Sequence, residues 1–160
     1  MAVRARIVSD PIHTDEVLRD VGDDGSGAVL LFLGSVRDHA EGRPVTGLKY
    51  EAYEPMAQSI LLEILEEARD RTGVERLSAV HRVGELAIGE VSVAIAVSSA
   101  HRDSAYEASR LVIEEVKRRL PVWKKERFAD GDEAWVVGQD PVGSGRAGPS
   151  GAGASERLPS

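Results

Sequence analysis

The most regular alternation in the chain lies between Val91 and Ser98. There Val91, Val93, Ile95 and Val97 alternate with Ser92, Ala94, Ala96 and Ser98. That is the period of two expected of a strand whose small-residue face lies close against another layer. Downstream the period lengthens, and Ala108, Leu111, Val112 and Val116 recur at helical spacing. Asp103 or Ser104 is the expected N-cap of this helix, with Glu107 completing a capping box from Ser104, and Pro121 forbids its continuation.

The remaining pattern is a mixture of the two periods. Strands are expected over Ala2–Val8, over the almost continuously apolar run Gly27–Val36, and over Leu48–Tyr53, Arg76–Val83, Trp123–Phe128 and Ala134–Val137. Gly34 interrupts the second of these where another backbone or a ligand comes close. Thr14 is the expected cap of a brief helix through Val17, Leu18 and Val21, after which Gly22–Gly27 makes a polar turn. Pro55 opens a longer helix that buries Ile60, Leu61, Ile64, Leu65 and Ala68, with Met56–Leu65 as core, and Gly73 closes it. Glu41–Val45 is expected as a loop, and Gly84-Glu85-Leu86 with Gly89-Glu90 as a turn into Val91. Strands and helices mix without a strict βα repeat, so the expectation is a single α+β domain over residues 1–139.

From Asp140 to Ser160 the pattern stops. Five glycines, three prolines and four serines with no aromatic residue cannot bury enough apolar surface to offset the entropy of ordering, so a disordered tail is expected. Hydrophobic content of 42% and charged content of 29% are those of a globular protein. No run approaches the roughly 20 apolar residues of a membrane-spanning helix, and the opening MAVRARIVSD lacks an apolar leader core. The expected location is therefore the cytoplasm, with no membrane partner. The absence of cysteine excludes disulfides, thiolate catalysis and Cys-ligated metal centres. Four scattered histidines without metal-ligand spacing give no metal site. A net charge of −7 argues against nucleic acid as a partner, because phosphate-backbone affinity comes from basic surfaces.

Against that acidic background the cations are unevenly distributed. Lys117, Arg118, Arg119, Lys124, Lys125 and Arg127 crowd into a short stretch. Arg118, Arg119 and Arg127 are accounted for as solvated cations near a helix C-terminus. Lys117 borders the apolar stripe, and Pro121-Val122-Trp123 stiffens the approach to Lys124, so both stand equally as structural residues or as proton-transfer groups. His101 and Arg102 sit at a strand-to-helix junction beside free backbone N–H groups, where an anion is favoured. Arg37 and His39 end the second strand, which reads as buried; that is a usual place for site residues, but the pattern alone favours a surface ion pair. His81 lies inside a strand and reads as a core or interface histidine, and His13 as a solvated one.

Taken in order, Phe32-x-Gly34-x-Val36-Arg37-x-His39, Leu48-x-Tyr50-Glu51-x-Tyr53, His81-Arg82-Val83-Gly84-Glu85-Leu86, Gly89-Glu90, Ser99-Ala100-His101-Arg102, Lys117 and Pro121-x-Trp123-Lys124-x-Glu126 resemble the large, catalytic subunit of molybdopterin synthase. The resemblance spans about Ile7 to Val137. It implies an α/β-hammerhead fold and a homodimer. Each protomer would bind one small β-grasp sulfur-carrier subunit, giving a heterotetramer. It implies that the carrier's C-terminal Gly-Gly, as a thiocarboxylate, donates sulfur twice to cyclic pyranopterin monophosphate (precursor Z), a pterin small molecule, to make the molybdopterin dithiolene of the molybdenum cofactor. No cofactor, metal or nucleotide is implied for this subunit. The site residues carried over are Arg37, His101, Arg102, Lys117 and Lys124, with Lys117 and Lys124 as the catalytic pair. Ser35, Val36, Lys125 and Glu126 fall in the adjoining substrate-contact segments. A non-enzymatic anion-binding scaffold for a β-grasp partner is the alternative.

Overall fold

The computed structural model describes residues 3–136, and the expected tail at Asp140–Ser160 lies outside them. Two sheets and three helices make an α+β domain. The larger layer is a four-stranded sheet in the order β1-β5-β7-β2, formed by β1 (Val3–Val8), β5 (Arg76–Arg82), β7 (Val91–Ser99) and β2 (Ala28–Ser35). β1 runs parallel to β5, and β7 is antiparallel to both of its neighbours. The second sheet has the order β3-β4-β8-β9, built from β3 (His39–Ala40), β4 (Arg43–Ala52), β8 (Val122–Phe128) and β9 (Glu133–Trp135), with β6 (Gly84–Ala87) also paired to β4.

β7 is central because its alternation serves two cores. Val93, Ile95 and Val97 face α2 (Glu54–Thr72) and α3 (Arg102–Arg119), in a cluster with Leu61, Ile64, Leu65, Val112 and Val116. Ala94 and Ala96 face the other way and let α1 (Thr14–Asp20) approach closely enough to bury Val17 and Val21. The small-residue face is thus the α1 face. Gln58 of α2 seals the outer edge of β1. Its amide donates to the Ala5 carbonyl (2.5 Å) and accepts from the Ile7 N–H (3.1 Å), occupying groups that would otherwise template another strand.

Several local expectations are corrected. β2 is an edge strand, and Val29 and Leu33 are 52% and 41% exposed, so its continuous apolar run does not mean burial on both faces. Glu41–Val45 is no loop. Glu41 and Gly42, both at positive φ (50° and 76°), turn β3 directly into β4. Gly84–Ala87 is a strand, because β4 begins before Leu48 and supplies it a partner. Thr14 is the first residue of α1 rather than its cap, which is His13, and Leu18 points outward, as does Met56. The N-cap of α3 is His101, not Asp103 or Ser104. Ser104 Oγ instead meets Ser99 Oγ (2.9 Å) and donates to the His101 carbonyl (3.3 Å).

Candidate functional site

The direction of α3 fixes where the candidate residues sit. The helix follows β7 and packs back on it, so its C-terminal turn lies beside the start of β7. Antiparallel pairing brings Ser35 of β2 to Val91 and His81 of β5 to Val93, so the ends of β2 and β5 arrive at the same place. Ser35, Val36, Arg37 and Lys117 therefore gather at one end of the main sheet. His101 and Arg102 are at the other. Arg102 and Lys117 lie fifteen positions apart along the helix, a rise of about 22 Å. Arg37, His101, Arg102, Lys117 and Lys124 do not converge within one chain.

At the Lys117 end the second sheet closes the site. Tyr50 of β4 pairs with Lys124 of β8, and Leu48 pairs with Glu126, so these four residues share one face. Lys124 is half-buried, with Nζ 3.6 Å from the Glu126 carboxylate, and Glu126 is itself buried. Lys125 projects from the opposite face, bound to Glu133 at 2.9 Å and lying 5.6 Å from the Trp135 ring centroid. Strand alternation thus separates Lys125 from its two neighbours. The Val36 side chain packs inward with Leu48, Leu86 and Tyr50. Its N–H donates to the Glu90 carbonyl (3.0 Å), and its own carbonyl accepts from Gly89 N–H (2.8 Å). What Val36 offers the site is the placement of Ser35 and Arg37 on either side. Both neighbours are exposed.

The floor of this end is built from residues that sequence reasoning left out of the site. The Tyr50 and His81 rings meet edge to face at 5.0 Å between centroids. His81 Nδ1 is 2.9 Å from the Arg82 carbonyl. A carbonyl only accepts, so Nδ1 carries the proton in the neutral ring. Burial is the main cause that lowers the His81 pKa to about 4. The hydrogen bond to Arg82 opposes the shift, and the charge of Lys117 reinforces it. Burial raises the Tyr50 phenol above its ordinary value, and the Glu126 carboxylate adds to this, whereas a hydrogen bond with Ser92 opposes it. Ser92 Oγ in turn donates to the Gly34 carbonyl at 3.1 Å, where β2 is bulged. A Cβ on Gly34 would lie 2.7 Å from Val93 Cγ1, which is the close approach expected at that glycine.

At the far end, His101 has extended backbone torsions (φ −129°, ψ 151°) and its side chain makes no capping hydrogen bond. The first N–H groups of α3 and its dipole therefore face outward beside the His101 and Arg102 side chains, both exposed.

Charge pairing sorts the cations. Arg118 is bound to Glu115 (2.9 Å), and Arg127 to Glu85 (2.5 Å) and Glu133 (3.4 Å). Arg119 is largely buried among Glu63, Glu67 and Glu115 rather than solvated. Among the described residues, only Arg37, Arg71, Arg102 and Lys117 of all the lysines and arginines lack an ion-paired carboxylate. Arg71 lies in the last turn of α2, where the helix dipole favours a cation. The other three are site candidates. No group of three His, Cys, Asp or Glu residues among the described residues is arranged to hold a metal ion.

Comparison with known proteins gives a consistent result. A family profile described as "MoaE protein" matches residues 7–119. A "Molybdopterin synthase catalytic subunit" from Bacillus subtilis (strain 168) is 41% identical over 136 residues, which are 85% of this chain and 86% of that protein. Among solved structures, molybdopterin synthase from Staphylococcus aureus superposes with a TM-score of 0.78 at 40% identity, covering 81% of this chain and 94% of that one. A complex of subunits 1 and 2 of the molybdopterin-converting factor from Helicobacter pylori shares the fold, with a TM-score of 0.71 at 24% identity over 88% of this chain and 97% of that one.

Proposed function

The chain belongs to the MoaE family, the catalytic subunits of molybdopterin synthase, and we propose that it makes molybdopterin from precursor Z with sulfur from the thiocarboxylated C-terminus of a small β-grasp carrier. The observation that carries this reading is the set of unpaired cations. In a protein of net charge −7, nearly every described lysine and arginine has a carboxylate partner, and three of the four exceptions are Arg37, Arg102 and Lys117. A cation left without an internal counter-charge attracts an external anion. The cyclic phosphate, the carrier terminus and the product are all anionic.

The chemistry assigns a task to each group. The thiocarboxylate sulfur attacks an oxygen-bearing side-chain carbon of the pterin, and the C–S bond forms as the C–O bond breaks. The oxygen leaves with the opening phosphate ester at one carbon and as water at the other, so that the carrier is briefly an acyl group on each sulfur in turn. Water then attacks the acyl carbon, and the tetrahedral oxyanion collapses to the carrier's carboxylate, leaving the sulfur on the substrate. Lys117 stabilises that oxyanion and supplies or removes the proton, with Lys124 orienting the carrier terminus. Arg37, His101 and Arg102 grip the phosphate and neutralise charge as the cyclic ester opens. The contact set extends to Ser35 and Glu126, with Val36 acting through its backbone. Lys125, on the opposite face, contributes least.

The rise of about 22 Å between Arg102 and Lys117 along α3 exceeds the length of a pyranopterin. One pocket holding both residues therefore needs two copies of the chain, with the α3 N-terminus of one meeting the α3 C-terminus of the other. A two-fold dimer does this twice, giving two equal sites and one carrier per protomer. The Helicobacter pylori complex, solved with its second subunit, supports a partner of this kind. The test is to mix the purified chain with a thiocarboxylated carrier and precursor Z. Molybdopterin should form, and carrier binding without product would leave only the scaffold.

A further inference from the structure

Arg37 is exposed and unpaired, yet a phosphate contact works only if the chain presenting it is held still. We propose that the Arg82–Glu90 ion pair is the positioning device for Arg37, clamping the β6–β7 turn against the backbone that carries it; the inference rests on the reading of Arg37 as a phosphate contact. The clamp can be followed atom by atom. Arg82 Nη1 pairs with Glu90 Oε2, and Arg82 Nη2 donates to the Glu85 carbonyl at 3.4 Å. Glu90 Oε1 accepts from Ala87 N–H at 2.8 Å. One carboxylate therefore ties the end of β5 to both ends of the turn.

The turn then grips Val36 from two sides, through Val36 N–H to the Glu90 carbonyl (3.0 Å) and Gly89 N–H to the Val36 carbonyl (2.8 Å). Arg37 is the next residue. Gly89 at φ 83° allows its N–H to point there, a conformation in which a side chain would be strained. The arginine is 90% buried although its partner is 36% exposed. A buried guanidinium without its carboxylate is costly, so the geometry of the turn is locked to that of the pair. The hydrogen bonds from Ala87 and Arg82 hold the Glu90 carboxyl below the usual carboxylate range, in keeping with a permanently charged clamp. Neither residue reaches the exposed side chain of Arg37, so they act on the reaction only through the 35–37 backbone.

The experiment is a double-mutant cycle on the dimer with its carrier, following initial rates against precursor concentration. Glu90→Gln removes the charge from a partly exposed position. Glu90→Asp keeps the charge but is too short to reach Arg82 and Ala87 N–H together. Each should raise the half-saturating precursor concentration by about 5-fold to 10-fold while the saturating rate changes little. Glu90→Gln also lowers the thermal midpoint, because it strands the buried Arg82 guanidinium, and Glu90→Asp, which keeps the charge, lowers it less. In an Arg37→Ala background the same changes should have almost no further effect, whereas in an Arg102→Ala background they should act in full. Equal effects in both backgrounds overturn the inference, as does loss of saturating rate with unchanged half-saturation. A normal half-saturation in Arg37→Ala sinks the reading of Arg37 and this inference with it. A raised value there with Glu90→Gln unchanged sinks this inference alone.

Discussion

Single residues here are distinguished by what they pair with. Lys117 and Arg118 are adjacent in sequence and both exposed, yet Arg118 has Glu115 and Lys117 has no carboxylate among the described residues. A contact equally strong in ground and transition states changes apparent affinity, whereas one acting on developing charge changes turnover. Arg102→Ala should therefore raise the half-saturating precursor concentration. Lys117→Ala should cut single-turnover product formation by on the order of 100-fold with carrier binding intact. Near-normal turnover in Lys117→Ala would hand the role to Lys124. His81 gives a pH prediction. Its pKa of about 4 in the fold lies below its ordinary 6.5, so between those values the unfolded chain binds the extra proton. Stability is then full above pH 6.5 and falls as the pH drops towards 4, by about 3 kcal/mol from this residue. Urea unfolding at pH 7 and pH 4.5 should reveal the loss, and His81→Gln should remove much of the difference. The sequence had marked Lys117, Arg102 and Arg37 through their motif positions. It could not show which cations were neutralised, because the carboxylates that do so include Glu63 and Glu67 of α2, distant along the chain.

At the scale of elements, the period was legible wherever residue types alternate regularly, apolar with polar along the one-sided helices α2 and α3, and large with small along β7, which is buried on both faces. α2, α3, β5 and β7 came close to their expected bounds. What failed were features that depend on a partner strand. β2 looked buried because its residues are apolar, but nothing in its own sequence says it lies at an edge. β6 looked like a turn because its four residues become a strand only against Gly47–Tyr50. The α3 cap was misplaced because the Ser104 hydroxyl meets Ser99 at the end of β7 and the His101 carbonyl instead of a helix N–H. The other sheet edge gives a test. Gln58→Ala should free the Ile7 N–H and the Ala5 carbonyl on β1 and cost about 1–2 kcal/mol in urea unfolding. An unchanged midpoint would mean that water replaces the amide without loss.

At the scale of the whole molecule, α3 acts as a spacer with anion-favouring groups at both ends. In the sequence these residues form one set only through the family resemblance. Only the helical rise shows that a single chain cannot assemble them, because distance along an element is invisible until the element and its direction are known. A site shared across a two-fold axis is thus the central claim. A dimer joining one Arg102→Ala subunit to one Lys117→Ala subunit tests it most directly, isolated through two different affinity tags. One of its pockets receives Lys117 from the first subunit and Arg102 from the second, while the other receives both alanines. Assayed at a precursor concentration well below the wild-type half-saturating value, where both parent homodimers are impaired at both sites, such a hybrid should make molybdopterin at about half the wild-type rate. A hybrid no more active than the average of its two parent homodimers would contradict the shared site.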